Sequence, residues 1–192
     1  MIKLKNLTEI RLGMAFKSAI KDLGKQGIVS LIQAKDILPE GLSYNLVTPT
    51  VNPESDLGHH IIKKGELLIR LRGPVFSSIV FDKNYRAVTT NQVAVISCDD
   101  SKINPYYLNW YLNSKHGRRY FDSQNEGTNI NKISSKALNE MEIMLPSLET
   151  QLNITKVHNN WLKQRAIHQQ LISNGDMMNE SICDAIYMDK SK

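Results

Sequence analysis

The chain reads as an α+β protein: a strand-rich mixed domain over residues 1–146, a long helix over 147–173, and a tail or short helix over 174–192. Three observations predict this. Short apolar and β-branched runs, separated by turn residues, fill the first hundred positions. At Asn104 the spacing of apolar residues changes from strand-like to helical. After Pro146 no proline follows, and no glycine occurs before Gly175, so nothing interrupts a long helix.

The elements follow in order. VSLIQAKDI (29–37) begins as an apolar strand and drifts toward polar. The segment 39–58 carries Pro39, Gly41, Pro49, Pro53 and Gly58 without a sustained period, and reads as a long surface loop. HHIIKKGELLIRLRG (59–73) contains a hairpin signal: Ile61–Ile62, the turn KKGE, then alternation at Leu67, Ile69 and Leu71. SSIVF (77–81) and AVTTNQVAVIS (87–97) add strands, with DKNYR as the turn between them. NPYYLNWYLNSKHGRRYF places Tyr107, Leu108, Tyr111 and Leu112 on one helical face. Asn104 suits its N-cap and Pro105 its first position, where the missing N–H costs nothing. Gly127 then breaks the chain, Ser134 caps a short helix over SSKALNEM, and MEIMLP is a short strand stopped by Pro146. No repeat of 20–50 residues is visible.

For the long helix, Ser147 can accept from first-turn amides, and Glu149 sits at the positive end of the helix dipole. About 27 residues of helix would reach ~40 Å. Its apolar positions are sparse. Ile154, Trp161 and His168 form one row at heptad spacing; Val157, Gln164, Leu171 and Met178 form the other, with Ile167 and Ile172 beside them. A helix lying over its own core should show about three apolar residues per seven. This helix shows nearer two, a narrow seam with polar members at Gln164 and His168. Two readings stand, a terminal helix packed on its own domain and one half of a coiled coil. The width favours a partner helix through Ile154, Val157, Trp161, Gln164, His168, Leu171 and Ile172.

Composition narrows the function. At 41% hydrophobic and 22% charged, the chain matches an ordinary globular protein rather than a disordered one. No apolar run is long enough for a membrane span, and MIKLKNLTEIRLG lacks the apolar stretch of a signal peptide. Two cysteines, Cys98 and Cys183, do not make a disulfide scaffold; a cytoplasmic location with both thiols reduced is expected. The net charge of +5 is concentrated. Residues 59–86 hold Lys63, Lys64, Arg70, Arg72, Lys83 and Arg86 against Glu66 and Asp82; residues 113–136 hold Lys115, Arg118, Arg119, Lys132 and Lys136 against Asp122 and Glu126. Such a field suits a polyanion such as DNA, and also fits a solvated basic face without a ligand.

Individual motifs sort further. NPYY (104–107) has the outline of an amino-methyltransferase loop, but its second proline is replaced by Tyr106 and no Gly-rich loop follows a strand; it reads as a helix start. His59–His60 has no third metal ligand at a sensible spacing, so no metal and no cofactor are expected. No nucleophile–base arrangement and no nuclease spacing stands out, so no catalytic residue is assigned. RLRGPVFSS (70–78) is the strongest site candidate. Alternation puts Arg70 and Arg72 opposite Leu71, and the fork of Arg72 beside Gly73–Pro74 can reach a guanine edge or phosphates. GTNINK (127–132) offers Thr128, Asn129, Asn131 and Lys132 around Gly127, either as base contacts or as an ordinary capped loop. KHGRR (115–119) supplies helix-end cations for phosphates: Lys115, Arg118 and Arg119. In TTNQ (89–92), Asn91 is a groove candidate, whereas Gln92 leans to a structural role. Lys17 and Arg86 complete the DNA-binding set.

The order LTEIRLGMAF, VSLIQAKDI, IIKKGELLIRLRG, TTNQVAVIS, NPYYLNWYLNS, GTNINKISSKAL and EIMLPSLETQLNI resembles the specificity subunit of type I restriction–modification enzymes, to about residue 172. Each piece alone is weak; their order, closed by the LP-x-L-E-x-Q helix start, is fairly specific. The resemblance implies a target recognition domain over 1–146 and a conserved spacer helix over 147–173. The domain would read half of a bipartite site in double-stranded DNA, without catalysis, as part of phage defence. Methyltransferase subunits would be partners, and an ATP-dependent restriction subunit a further one. Family members carry two recognition domains and two helices that pair antiparallel; this sequence holds one of each. A half-subunit that homodimerises through an antiparallel coiled coil of 147–172 is therefore expected. A DNA-modifying enzyme in its own right and a coiled-coil protein–protein adaptor remain as alternatives.

Overall fold

The computed structural model describes residues 1–16, 19–38, 41–42, 48–53, 56–73, 75–124 and 132–189. The chain divides into two compact units, Met1–Leu152 and Asn153–Lys192.

The first unit is built on a four-stranded antiparallel sheet. Its strands are β2 (Thr8–Leu12), β7 (Leu67–Arg70), β8 (Ser78–Val80) and β10 (Val93–Cys98), in the spatial order β2-β10-β7-β8. A three-stranded sheet of β3 (Val29–Ile32), β6 (Thr50–Val51) and β9 (Ala87–Thr89) has the order β6-β3-β9, with β3 and β9 parallel. Two small antiparallel pairs complete the strands: β1 (Ile2–Lys3) with β11 (Glu142–Ile143), and β4 (Ile37–Leu38) with β5 (Gly41–Leu42). One core cluster joins the two larger sheets, with Leu68, Ile79, Val93 and Val95 from one and Ile32 and Ala87 from the other. A second gathers Met14, Val29, Leu31, Val51 and Val88.

The helices follow local chemistry closely. In α1 (Pro105–Asn113) the Asn104 carboxamide accepts from the amides of Tyr106 (2.9 Å) and Tyr107 (3.2 Å). The expected face of Tyr107, Leu108, Tyr111 and Leu112 is buried. A second helix, α2 (Lys115–Ser123), starts afresh at Ser114, whose hydroxyl accepts from the His116 amide. The KHGRR cations therefore open a helix rather than close one. In α3 (Ser135–Glu140) Ser134 is the N-cap, as expected, accepting from the Ala137 amide at 3.0 Å.

Three expectations about the strands are corrected. Ile61–Ile62 does not pair with β7, because both edges of β7 are occupied, by β10 and by β8. The hairpin is β7–β8, and the Ile62 amide donates instead to Ala87. The run 87–97 is not one strand: it leaves the three-stranded sheet after Thr89 and enters the four-stranded one at Val93. The loop 39–58 contains β5 and β6, strands of two residues each that carry no readable period.

The last helix, α4, runs Leu148–Asp189, 42 residues, or ~63 Å at the usual rise. It passes through Gly175 and does not end near 173; the segment expected as a tail or short helix is continuous with α4 to Asp189. Ser147 caps it as expected, accepting from the Thr150 amide at 3.2 Å. Within Asn153–Lys192, Val157 (72%), Trp161 (53%), Ile167, Leu171 and Ile172 are exposed, as are Met177, Met178, Ile182 and Ile186. Gln164 and His168 are exposed and Ile154 is half-buried. No helix among the described residues is long and apolar enough to cross a membrane.

Candidate nucleic-acid interface

The break inside TTNQ creates the site. Thr90 to Gln92 form the crossing between the two larger sheets, and their backbone is held from several directions. Met14 bridges Thr90, the Asn91 amide donates to Met14 (2.9 Å), and the Leu71 amide donates to Gln92 (2.9 Å). Gly13 lies flat against this crossing; a Cβ there would collide with the Thr89 and Thr90 carbonyls. With the backbone so engaged, the side chains of Asn91 and Gln92 are exposed.

Beside this crossing β7 ends in Arg70. The Arg70 Nε donates to the Arg72 carbonyl at 2.9 Å, folding the side chain over the turn it precedes. Gly73 has φ +139°, a left-handed conformation that disfavours a side chain, and a Cβ there would strike the Arg70 guanidinium. Arg70 thus braces the turn while Arg72 stands exposed. Lys132 is placed next to Arg72 by a backbone bridge, and the Ile133 amide donates to Leu71 (2.9 Å).

These residues wall an open cleft of about 470 Å³, lined by Arg70, Arg72, Thr90, Asn91 and Gln92, by Gln33, Ala34 and Lys35, and by Phe16, Ala19 and Ile20. Three cations and three carboxamides face it, and no carboxylate is among these lining residues. Such a lining attracts phosphate and offers base-edge hydrogen bonds.

Of the sequence-derived candidates, Arg70, Arg72 and Asn91 come together here, with Lys132 adjacent. Arg86, exposed before β9, does not line the cleft. Nor do Lys115, Arg118 and Arg119, exposed on α2; that helix meets the Arg72 loop region through Phe121, whose ring lies 5.3 Å from that of Phe76. Lys17, Thr128 and Asn129 lie outside the described residues. Sequence reading missed Gln33 and Lys35 as candidates. Their signal was the polar drift at the end of VSLIQAKDI, where the chain turns out of β3. Gln92 proves to be both structural, through its backbone carbonyl, and cleft-lining.

The other motifs resolve locally. Asn104 is engaged as a helix cap, and Tyr107 is buried with its hydroxyl donating to Met144 at 2.6 Å. The rings of His59 and His60 stand 4.0 Å apart, and among the described residues no three His, Cys, Asp or Glu side chains cluster as metal ligands would.

Residues 1–174 match the family model for the type I restriction modification DNA specificity domain. The chain belongs to this family. Solved structures share the specificity-domain fold. One, from work on complex assembly and conformational transition of the type I R-M system, has a TM-score of 0.64 at 20% identity, covering 86% of this chain and 38% of that one. The HsdS subunit from Thermoanaerobacter tengcongensis gives 0.58 at 22% identity, covering 85% and 37%. The type I S subunit from M. genitalium gives 0.54 at 16%, covering 81% and 37%. This specificity-domain chain thus spans under two fifths of each of those chains. No curated protein matches it.

Proposed function

We propose that the chain is a non-catalytic DNA reader of a type I restriction–modification system, its first unit recognising one half of a bipartite site. The observation that carries this reading is the cleft, where Arg70, Arg72 and Asn91 converge in a domain of the DNA-specificity family. Arg72 supplies a planar two-pronged donor for guanine, Asn91 a matching carboxamide, and the surrounding cations a salt-dependent hold on phosphates. Two copies joined through α4 supply two such readers, and methyltransferase subunits, with or without an ATP-dependent restriction subunit, act on the site so marked. The exposed apolar positions of α4 support the pairing. A twofold dimer reads a palindromic, interrupted sequence, because site symmetry mirrors protein symmetry.

Selection of bound duplexes from a random pool, with the full chain and its methyltransferase partner, tests this. A palindromic gapped site is expected. Arg72→Ala should weaken that site more than random DNA; equal loss on both would reduce Arg72 to a phosphate contact. Recovery of no enriched sequence would overturn the reader in favour of a protein–protein adaptor.

A further inference from the structure

The 3-10 turn Ala34–Asp36, with Gln33 before it, contributes to the lining of the cleft together with the arginine turn. Its geometry is fixed from beneath. Asp36 is buried and its Oδ2 accepts from the Gln33 amide at 2.8 Å, while the Asp36 amide donates back to the Gln33 carbonyl at 3.0 Å. Ala34 is buried on the core side, which leaves Lys35 on the outside, exposed, and the Gln33 side chain on the cleft. Asn91 and Gln92 line the same cleft, from a backbone hydrogen-bonded to Met14 and Leu71. The cleft thus gathers three carboxamides on backbone tied by hydrogen bonds, an arrangement that limits the entropy cost of a two-bond contact.

We propose that Gln33, Asn91 and Gln92 form an adenine-reading set, each able to take one A·T pair, and that Lys35 clamps a backbone phosphate beside the bases they read. A carboxamide both donates and accepts, and matches the paired acceptor and donor that adenine N7 and N6 present in the major groove. Lysine is a point-charge donor, suited to phosphate rather than to a base edge. The assignment rests on the reader function proposed above and adds to it the base class and a phosphate clamp in the same cleft.

Half-site selection with the full chain, repeated for Gln33→Ala, Asn91→Ala, Gln92→Ala and Lys35→Ala, tests it. Wild type should enrich at least one invariant A·T pair. Asn91→Ala or Gln33→Ala should reduce preference for adenine at that pair by about tenfold or more, with affinity for random duplex unchanged. Lys35→Ala should leave base preference intact and lower the slope of log affinity against log salt by about one. Unchanged melting temperatures should accompany the losses in Asn91→Ala, Gln92→Ala and Lys35→Ala, because those side chains are exposed; Gln33, half-buried and part of the cap of the Ala34–Asp36 turn, is read against Asn91→Ala. A selected half-site without adenine, or adenine preference intact in all three carboxamide variants, overturns the carboxamide assignment while the reader stands. An unchanged salt slope in Lys35→Ala overturns the clamp. No sequence preference in the wild type overturns the reader and this assignment together.

Discussion

Glu66 is 6% exposed and sits at the start of β7, where burial disfavours its charge. Hydrogen bonds from Arg11, Ser97 and the Lys63 amide outweigh that burial and hold its carboxyl below the ordinary 4.5. The Arg11 fork meets both carboxylate oxygens at 2.6 Å and also donates to the Ile61 carbonyl. This ties β2, the 61–66 segment and β10 into one knot next to the strand that carries Arg70. Glu66→Gln should cost about 3 kcal/mol in urea unfolding, because Arg11 loses its counter-charge in a largely buried place. The pH sign follows from the lowered pKa. The folded state binds fewer protons than the unfolded one on acidification, so this stability is present above pH 4.5 and lost as pH falls below it. The Gln variant should show a flatter loss of stability in that range. Cys98 gives a second residue-scale test. Burial, with the Asp100 charge adding to it, pushes its thiol up to about 12, whereas Cys183 is exposed. A thiol reagent at pH 8 should label Cys183 faster than the half-buried Cys98, whose raised pKa keeps its thiolate scarce; equal rates would contradict the packing around β10.

Among the elements, the start of α4 is fixed by one side chain. Gln151 is fully buried; it accepts from the Asn104 amide at 2.8 Å and donates to the Pro146 (2.9 Å) and Lys102 (3.1 Å) carbonyls. It thus couples the cap of α1 to the first turns of α4, within Met1–Leu152. This explains the glutamine of the LP-x-L-E-x-Q start: one buried carboxamide satisfies three backbone groups at the junction of α1 and α4. Gln151→Ala should destabilise the first unit by about 2–3 kcal/mol, measured by denaturant unfolding, since those groups are left unpaired. α1 was legible in the sequence, because Asn104, Pro105 and the Tyr107, Leu108, Tyr111 and Leu112 spacing act within a few residues of one another. β7 was legible as a strand but its partners were not. The II-KKGE-LL pattern satisfies a hairpin locally, and only competition from β8 and β10 for its edges redirects Ile62 to Ala87.

At the scale of the molecule, the proposed pairing of two readers rests on α4. Its exposed Val157, Trp161, Leu171 and Ile172 call for a cover, and a second copy offers the same narrow seam. Light scattering after size exclusion should give twice the 21.8 kDa chain mass at tens of micromolar. Trp161→Asp should weaken association by about 2 kcal/mol or more, as expected for a central aromatic anchor. A single-chain mass for the wild type would sink the dimer while leaving the cleft untouched.

The sequence by itself determined the α+β class, the caps and buried face of α1, the Ser134 and Ser147 starts, the long uninterrupted helix, and the arginine turn at 70–73. All of these depend on residues close in the chain, where dihedral preference and side-chain spacing act directly. Only the tertiary structure decided that Asn91 and Gln92 sit at a crossing between two sheets and line one cleft with Arg72, Gln33 and Lys35. Those residues are about 20 to 60 positions apart, and their convergence follows from which strand edges pair, a competition settled by the whole core.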